Sequence, residues 1–291
     1  MTILQAGTPK SGNFWLYKIL QQIMQEAGLP RRSFIQRQPI FELARQWDLS
    51  YPEQAGIDML DIGPQHYFCR ISSVYRMPIE SLEDYVARAS HLWTHSDFSP
   101  LCYPLFSLVD KIIYIIRDPR DRALSEVRFA FTPYMQKYYP HGQPDVETYL
   151  QNYFDQIMHH WVWHVGNYLL QRSEVPIHFV FYERLLHDFP TELQRLLDYL
   201  QLSLTPAARQ KIADDVHFSS LKKGHANHVR KGKSNRWKQQ FNEAQQERTR
   251  KLAGPLMSLL SYSLHASKEM LPSLPEQQYS HKINLMLKEM Q

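Results

Sequence analysis

The sequence is short of cysteine: Cys69 and Cys102 are the only two in 291 residues, and neither stands in a CxxC pair. A disulfide framework and a cysteine-ligated zinc site are therefore not expected, while a reducing compartment is. No apolar run approaches the ~18 residues that a membrane span requires. A basic stretch followed by a long apolar one is missing from the first residues, so no signal peptide is expected either. Charge of one sign is also lacking. The 33 Lys and Arg against 29 Asp and Glu leave a net +4, too mild to imply a nucleic-acid partner without a concentrated patch. Internal repeats, low-complexity tracts and a clear domain linker are absent. What is present is 43% hydrophobic and 13% aromatic residues, the make-up of a folded, soluble, cytoplasmic protein with a sizeable core.

Along the chain, short apolar runs alternate with helical stripes. Residues 2–6 read as a buried strand. From Asn13, apolar Leu16, Ile19, Leu20, Ile23, Met24 and Ala27 recur at helical spacing, and Gly28 and Pro30 mark a stop. Residues 31–65 show no clear period. Further strands are expected at 91–96, at 111–117, where "KIIYIIR" is apolar on both faces, and at 175–183. Helices are expected at 118–131, 145–172 and around 189–202, with Pro190 near the start of the last. The segment 217–241 reads as a basic loop, and two helical stretches, 243–270 and 276–290, close the chain. The alternation predicts an α/β fold, a central parallel β-sheet flanked by helices on both faces.

The first strand runs into Gly7-Thr8-Pro9-Lys10-Ser11-Gly12 and then a helix. Backbone N–H groups and the helix dipole make such a junction an anion site. Gly7 and Gly12 have the spacing of a nucleotide-triphosphate loop, but Asn13 and Phe14 stand where that loop needs Lys and Ser or Thr. A small-molecule kinase is therefore the rival enzymatic reading. A nucleic-acid-binding protein is a second rival, since seven Lys and Arg lie between Lys222 and Lys238 with no acid among them. Charge gathered beside one glycine suits a single nucleotide phosphate better than a long backbone.

Pro9-Lys10-Ser11-Gly12 resembles the opening of the soluble, cytosolic-type sulfotransferases, which move a sulfuryl group from 3′-phosphoadenosine 5′-phosphosulfate (PAPS) to an acceptor. Three further segments resemble the same family, in the family's order. "KIIYIIRDPRDRALSEVRFA" carries an Arg and, eight residues on, a Ser: Arg117 and Ser125, which the resemblance assigns to the 3′-phosphate. An arginine's planar fork suits that group. "HVRKGKSNRWKQQF" is similar to the late loop, with Arg230, Lys231 and Gly232 completing the pocket. "HLWTHSDF" ends a strand with His95, the family's base. An unperturbed imidazole pKa near ~6.5 suits it to take a proton at neutral pH. Trp15, Tyr182 and Phe218 align with aromatics that contact the adenine.

The resemblance spans about residues 2–262 and implies a P-loop-like sulfotransferase fold over 1–291, with 263–291 a C-terminal helical extension. It further implies a bacterial small-molecule member with PAPS as co-substrate and no metal. Lys10 would neutralise the bridging oxygen, and the backbone of Ser11, Gly12, Asn13 and Phe14 would hold the 5′ end. The pair His160 and His164 has helical metal-ligand spacing, but no Glu follows the first His. Three departures stand out. Asn13 and Phe14 replace threonines; Trp93 stands where cytosolic members often carry Lys; and Asn242-Glu243 replaces the apolar centre of the usual dimer motif, so a homodimer would not use that motif. The aromatic content of 31–90 and 128–160 points to a small ring-bearing acceptor, sulfated on a hydroxyl, amine or guanidinium. Asp48, Glu53, Asp58 and Asp61 are candidates to meet a cationic one. Neither a nucleic acid nor a membrane is expected as partner.

Overall fold

The computed structural model describes residues 1–224, 232–265, 270–275 and 279–290, with residues 222–224 described by backbone alone. Seven strands form one sheet: β1 (Ile3–Ala6), β2 (Asp58–Ile62), β3 (Tyr67–Ile71), β4 (Tyr75–Pro78), β5 (His91–Thr94), β6 (Lys111–Ile116) and β7 (Ile177–Phe181), in the order β4-β3-β2-β5-β1-β6-β7. The pairs β2–β5, β5–β1, β1–β6 and β6–β7 are parallel. β3 runs antiparallel to both its neighbours. The expected central parallel sheet is present, and at one edge β2, β3 and β4 add an antiparallel meander, in a region that showed no period. Polar Asp58, Asp61 and Arg70 interrupt the apolar alternation there.

Both faces of the sheet are covered. On β6, Ile112, Tyr114 and Ile116 join one core, and Ile113 and Ile115 the other, as the two-residue period of a strand requires. The first core includes residues of α2 (Pro119–Ala130) and α3 (Val146–Leu170); the second includes those of α1 (Asn13–Glu26) and α4 (Phe189–Leu200). Two expectations are revised. The basic segment is preceded by helix α5 (Pro206–Val216), and its own ends are helical in α6 (Phe218–Gly224) and α7 (Trp237–Gln240). The stretch 243–270 divides into α8 (Glu243–Leu252) and α9 (Gly254–Leu259), because Pro255 sits in the first turn of a new helix rather than inside an old one. The last helix, α10 (Ser280–Lys288), buries Ile283 and Leu287 against α3. Among the described residues no helix is long and apolar enough to cross a membrane.

Candidate active site

Four parallel strands deliver their next residues to one place. β1 leads into Gly7–Gly12, β5 into His95, β6 into Arg117 and β7 into Tyr182. This is the carboxyl edge of an open α/β sheet, where ligands of such folds bind. A cavity of about 900 Å³ opens there, near the upper end of the roughly 300–1,000 Å³ of small-molecule sites. Lys10, Gly12, Asn13, Phe14, Trp15, His95, Arg117, Ser125, Tyr182, Phe218 and Gly232 all line it. Residues up to 222 positions apart in sequence, Lys10 and Gly232, thus meet around one cavity. Arg230 and Lys231 lie outside the described residues.

The loop after β1 is held from beneath. Lys10 takes a left-handed backbone, φ 67°, and its carbonyl accepts from Arg117 Nη1 at 3.1 Å. Arg122, buried under the loop, donates to the Pro9 carbonyl at 3.0 Å. Gly12, φ 96°, is the N-cap of α1 and brings no side chain to that end. A β-carbon on it would meet the Tyr182 ring at 2.5 Å, so the ring and the loop touch only because it is glycine. Lys10 Nζ stands 3.8 Å from the centre of the Phe129 ring. Ser11 departs from expectation. Its hydroxyl pairs with Thr8 Oγ1 at 2.6 Å and its N–H donates to the Thr8 carbonyl at 3.3 Å, so the residue turns into the loop and does not line the cavity. Asn13 Nδ2 donates to the same carbonyl at 2.8 Å, where the lysine of a triphosphate loop would stand.

On the far side, the Arg117 guanidinium lies over Tyr182, 4.2 Å from the ring centre, and Nη2 donates to the Lys233 carbonyl at 3.5 Å. Its Nε is buried with no acceptor among the described residues, and so is Arg128 Nη1, one helical turn beyond Ser125. Asp118 instead pairs with Arg120 at 2.6 Å, and Asp121 accepts from the Trp237 N–H at 3.1 Å. Arg117 is therefore not an ordinary strand-end charge matched to its neighbours. Gly232 is fitted closely: a β-carbon on it, at φ 46°, would lie 2.2 Å from the Phe218 ring. Phe218 in turn packs on Trp15, 4.5 Å between ring centres. Among the described residues, six Lys and Arg line the cavity and no Asp or Glu does.

His95 Nδ1 stands 2.6 Å from the Gly7 carbonyl. A carbonyl only accepts, so Nδ1 carries the proton and Nε2 is left as the acceptor. A second buried histidine fixes the backbone behind it. His164 Nε2 donates to the His95 carbonyl at 3.2 Å, and Tyr114 donates to His164 Nδ1 at 2.6 Å. Burial pushes the His95 imidazole down to about 3; the charges of Arg70, His164 and Lys10 act the same way, and the Gly7 carbonyl opposes them. The unperturbed value assumed from sequence is thus corrected: the ring is firmly neutral at pH 7. Both nitrogens of His164 are engaged and His160 faces Asp97 at 3.6 Å, so the His160–His164 pair is not arranged to share a metal.

Several lining residues were not singled out in the sequence reading: Arg70, Ser72 and Ser73 from β3 and its turn, Met59 from β2, Thr132, Tyr134 and Arg128, whereas Lys233 and Arg236 belong to the basic stretch already noted. Arg128 alone was findable, three residues after Ser125 and so on the same helix face. Trp93 is buried at the cavity wall, edge-on to His95 at 5.5 Å. The four acids considered for a cationic acceptor are engaged elsewhere. Asp48 pairs with Lys137 at 2.6 Å, Glu53 with Lys18 at 3.0 Å and Asp61 with Arg70 at 3.1 Å, while Asp58 accepts from the Phe34 and Ile35 N–H groups. None lines the cavity.

The family model described as "Sulfotransferase domain" matches residues 2–261. Sulfotransferase 1A1 of Rattus norvegicus is 26% identical over 263 residues, covering 82% of this chain and 79% of that protein. The crystal structure of mouse sulfotransferase SULT7A1 complexed with PAP superposes with a TM-score of 0.58 at 18% identity, covering 99% of this chain and 88% of that one. A retinol dehydratase in complex with retinol and PAP gives 0.61, also at 18% identity, over 88% of this chain and 81% of that one. At such identities the two structural likenesses speak to the fold.

Proposed function

The chain belongs to the sulfotransferase domain family, and on that premise we propose that it transfers a sulfuryl group from PAPS to a small ring-bearing acceptor, with His95 as the base. We read residues 1–291 as one such domain, the part beyond 262 forming a helical extension. The observation that carries this reading is the convergence of Lys10 and Arg117: the guanidinium of Arg117 donates to the Lys10 carbonyl at 3.1 Å, at a cavity whose charged lining residues, among those described, are all Lys or Arg. The buried Nε of Arg117 and Nη1 of Arg128, both without acceptors among the described residues, fit an anionic group placed beside Ser125. Buried donors of this kind are costly unless a ligand meets them.

When bound, PAPS supplies the sulfuryl group and the phosphate that leaves it. The chain's own residues do the rest by position and charge. The N–H groups at the start of α1, from Gly12 to Trp15, face anionic charge with the favourable end of the helix dipole. Lys10, on a loop fixed by Arg117 and Arg122, holds positive charge where negative charge grows. Arg117, Ser125 and Arg128, with Arg230 and Lys231 as further candidates, take the ribose phosphate. Trp15, Tyr182 and Phe218 form an aromatic wall for the base. His95 keeps Nε2 open to the acceptor proton because Nδ1–H is committed to Gly7. Anionic charge brought beside the ring raises its affinity for that proton, which offsets part of the burial effect.

A thermal-shift series tests the reading. Adenosine 3′,5′-bisphosphate raises the melting temperature without added metal. ATP with magnesium and a DNA or RNA oligonucleotide do not match it, and Arg117→Gln abolishes the shift. Stabilisation by magnesium-ATP alone would restore the kinase reading.

A further inference from the structure

The strand order divides the cavity. β5 and His95 stand between β1, β6 and β7 on one side and β2 and β3 on the other. Lys10, Arg117 and Tyr182 belong to the first side, Met59, Arg70 and Ser72 to the second. Register makes the second side a row across the sheet. Trp93 pairs with Met59, Met59 with Arg70 and Arg70 with Arg76, so these side chains stand on one face at strand spacings of about 4.8 Å. The first three line the cavity. Arg70 thus sits on the acceptor side of the base, away from the groups assigned to PAPS.

Its charge is only partly answered. Asp61 lies 3.1 Å from Arg70 Nε and 3.8 Å from Arg76 Nε, one carboxylate facing two guanidiniums. Among the described residues no hydrogen bond engages the two Nη groups of Arg70. Its position is rigid. The residue lies inside a paired strand, and the turn beyond it is pinned by Tyr134, whose hydroxyl bonds Ser72 Oγ and accepts from the Ser73 N–H at 3.2 Å. Around it the wall is apolar, with Met59, Trp93, Tyr51 and Phe129.

Resting on the reading of this site as a sulfotransferase, we propose that the acceptor carries an anionic group, a carboxylate or its equivalent, on an apolar ring or chain, and that Arg70 is the residue that selects it. A fork of two free Nη groups binds a carboxylate in bidentate fashion. The same charge, beside a cavity that no Asp or Glu lines among the described residues, disfavours a cationic acceptor.

The test is equilibrium binding to the full chain saturated with adenosine 3′,5′-bisphosphate, where no transfer occurs. Isothermal titration compares 3-phenylpropionate, 3-phenylpropanol and 3-phenylpropylamine, which share ring and chain length. The propionate binds at least about tenfold more tightly than the alcohol, and the amine most weakly. Arg70→Gln brings the propionate to the level of the alcohol and leaves the affinity for the bisphosphate within about twofold, which also certifies the fold; Arg70→Lys retains part of the preference. The proposal is overturned if the propionate fails to bind the wild type, if alcohol or amine binds as well, or if Arg70→Gln leaves the ranking intact. If the bisphosphate itself does not bind, the sulfotransferase reading fails instead, and the three-ligand comparison on the unliganded chain still decides the role of Arg70.

Discussion

At the scale of single residues, the site rests on a histidine whose chemistry is set by one backbone carbonyl. The bond from Nδ1 to Gly7 at 2.6 Å fixes the tautomer, and burial holds the ring neutral. On the proposed function, replacing His95 with Ala removes the proton acceptor and leaves the groups proposed to bind the anion in place. Turnover should fall by about 10²–10⁴-fold, the range for general-base loss, while bisphosphate affinity stays near wild type. Steady-state assay with labelled PAPS and titration with the bisphosphate measure the two. Near-normal turnover in His95→Ala would remove the base assignment. Because the free pKa lies near 3, wild-type kcat/KM should not fall between pH 8 and pH 6 on account of this group. The cavity wall made by the loop after β1 and by Arg117 and Ser125 was legible in the sequence because its parts are local: a loop and the helix after it, an arginine and a serine on one strand–helix unit. Arg70 was not, because it faces the cavity only through its register with Met59, and Met59 through its register with Trp93. Nothing near Arg70 in the chain records that pairing.

At the scale of elements, the parallel strands and long helices were readable because β6 is apolar on both faces after Lys111 and α3 and α4 carry apolar stripes. The edge meander was not. Its strands are four or five residues long and carry charged side chains on the faces that meet the cavity or one another. One signal was available, Gly63-Pro64 between two short apolar runs, the mark of a turn between strands. The expected C-terminal helix forms, and it packs on the body of the domain. Ile283 and Leu287 of α10 are 1% and 6% exposed against α3, while Leu285, on the outer side, is 48% exposed. Leu287→Ala should therefore cost about 2–5 kcal/mol of stability, the range for a buried leucine, and Leu285→Ala less than about 0.5 kcal/mol. Urea unfolding of the two variants compares them directly. Equal losses would mean that α10 is not seated on α3 in solution.

At the scale of the whole molecule, the buried titratable groups set how stability follows pH. Burial pushes His91 and His95 down to about 3, and His164 and His178 to about 4. Each binds its proton more weakly folded than unfolded. Its contribution to stability is complete above an unfolded pKa of about 6.5 and is lost as pH falls. Burial acts oppositely on acids: Asp58 and Asp121 rise to about 6 and Glu183 to about 7. These carboxyls hold protons more tightly when folded, so they oppose acid unfolding as pH falls from 7 toward 4. Asp97, lowered, and Glu192, raised, work against each other. Four histidines outweigh three carboxyls by on the order of one proton per molecule between pH 6 and pH 5, worth about 1–2 kcal/mol per pH unit. Stability should be nearly flat from pH 8 to pH 7 and fall with that slope below pH 6, as read from urea midpoints at each pH. A rise in stability between pH 7 and pH 5 would mean that the carboxyls dominate. The neutral burial of these histidines, His95 among them, would then be wrong, and with it the physical reason that His95 stands ready to accept a proton across the neutral range.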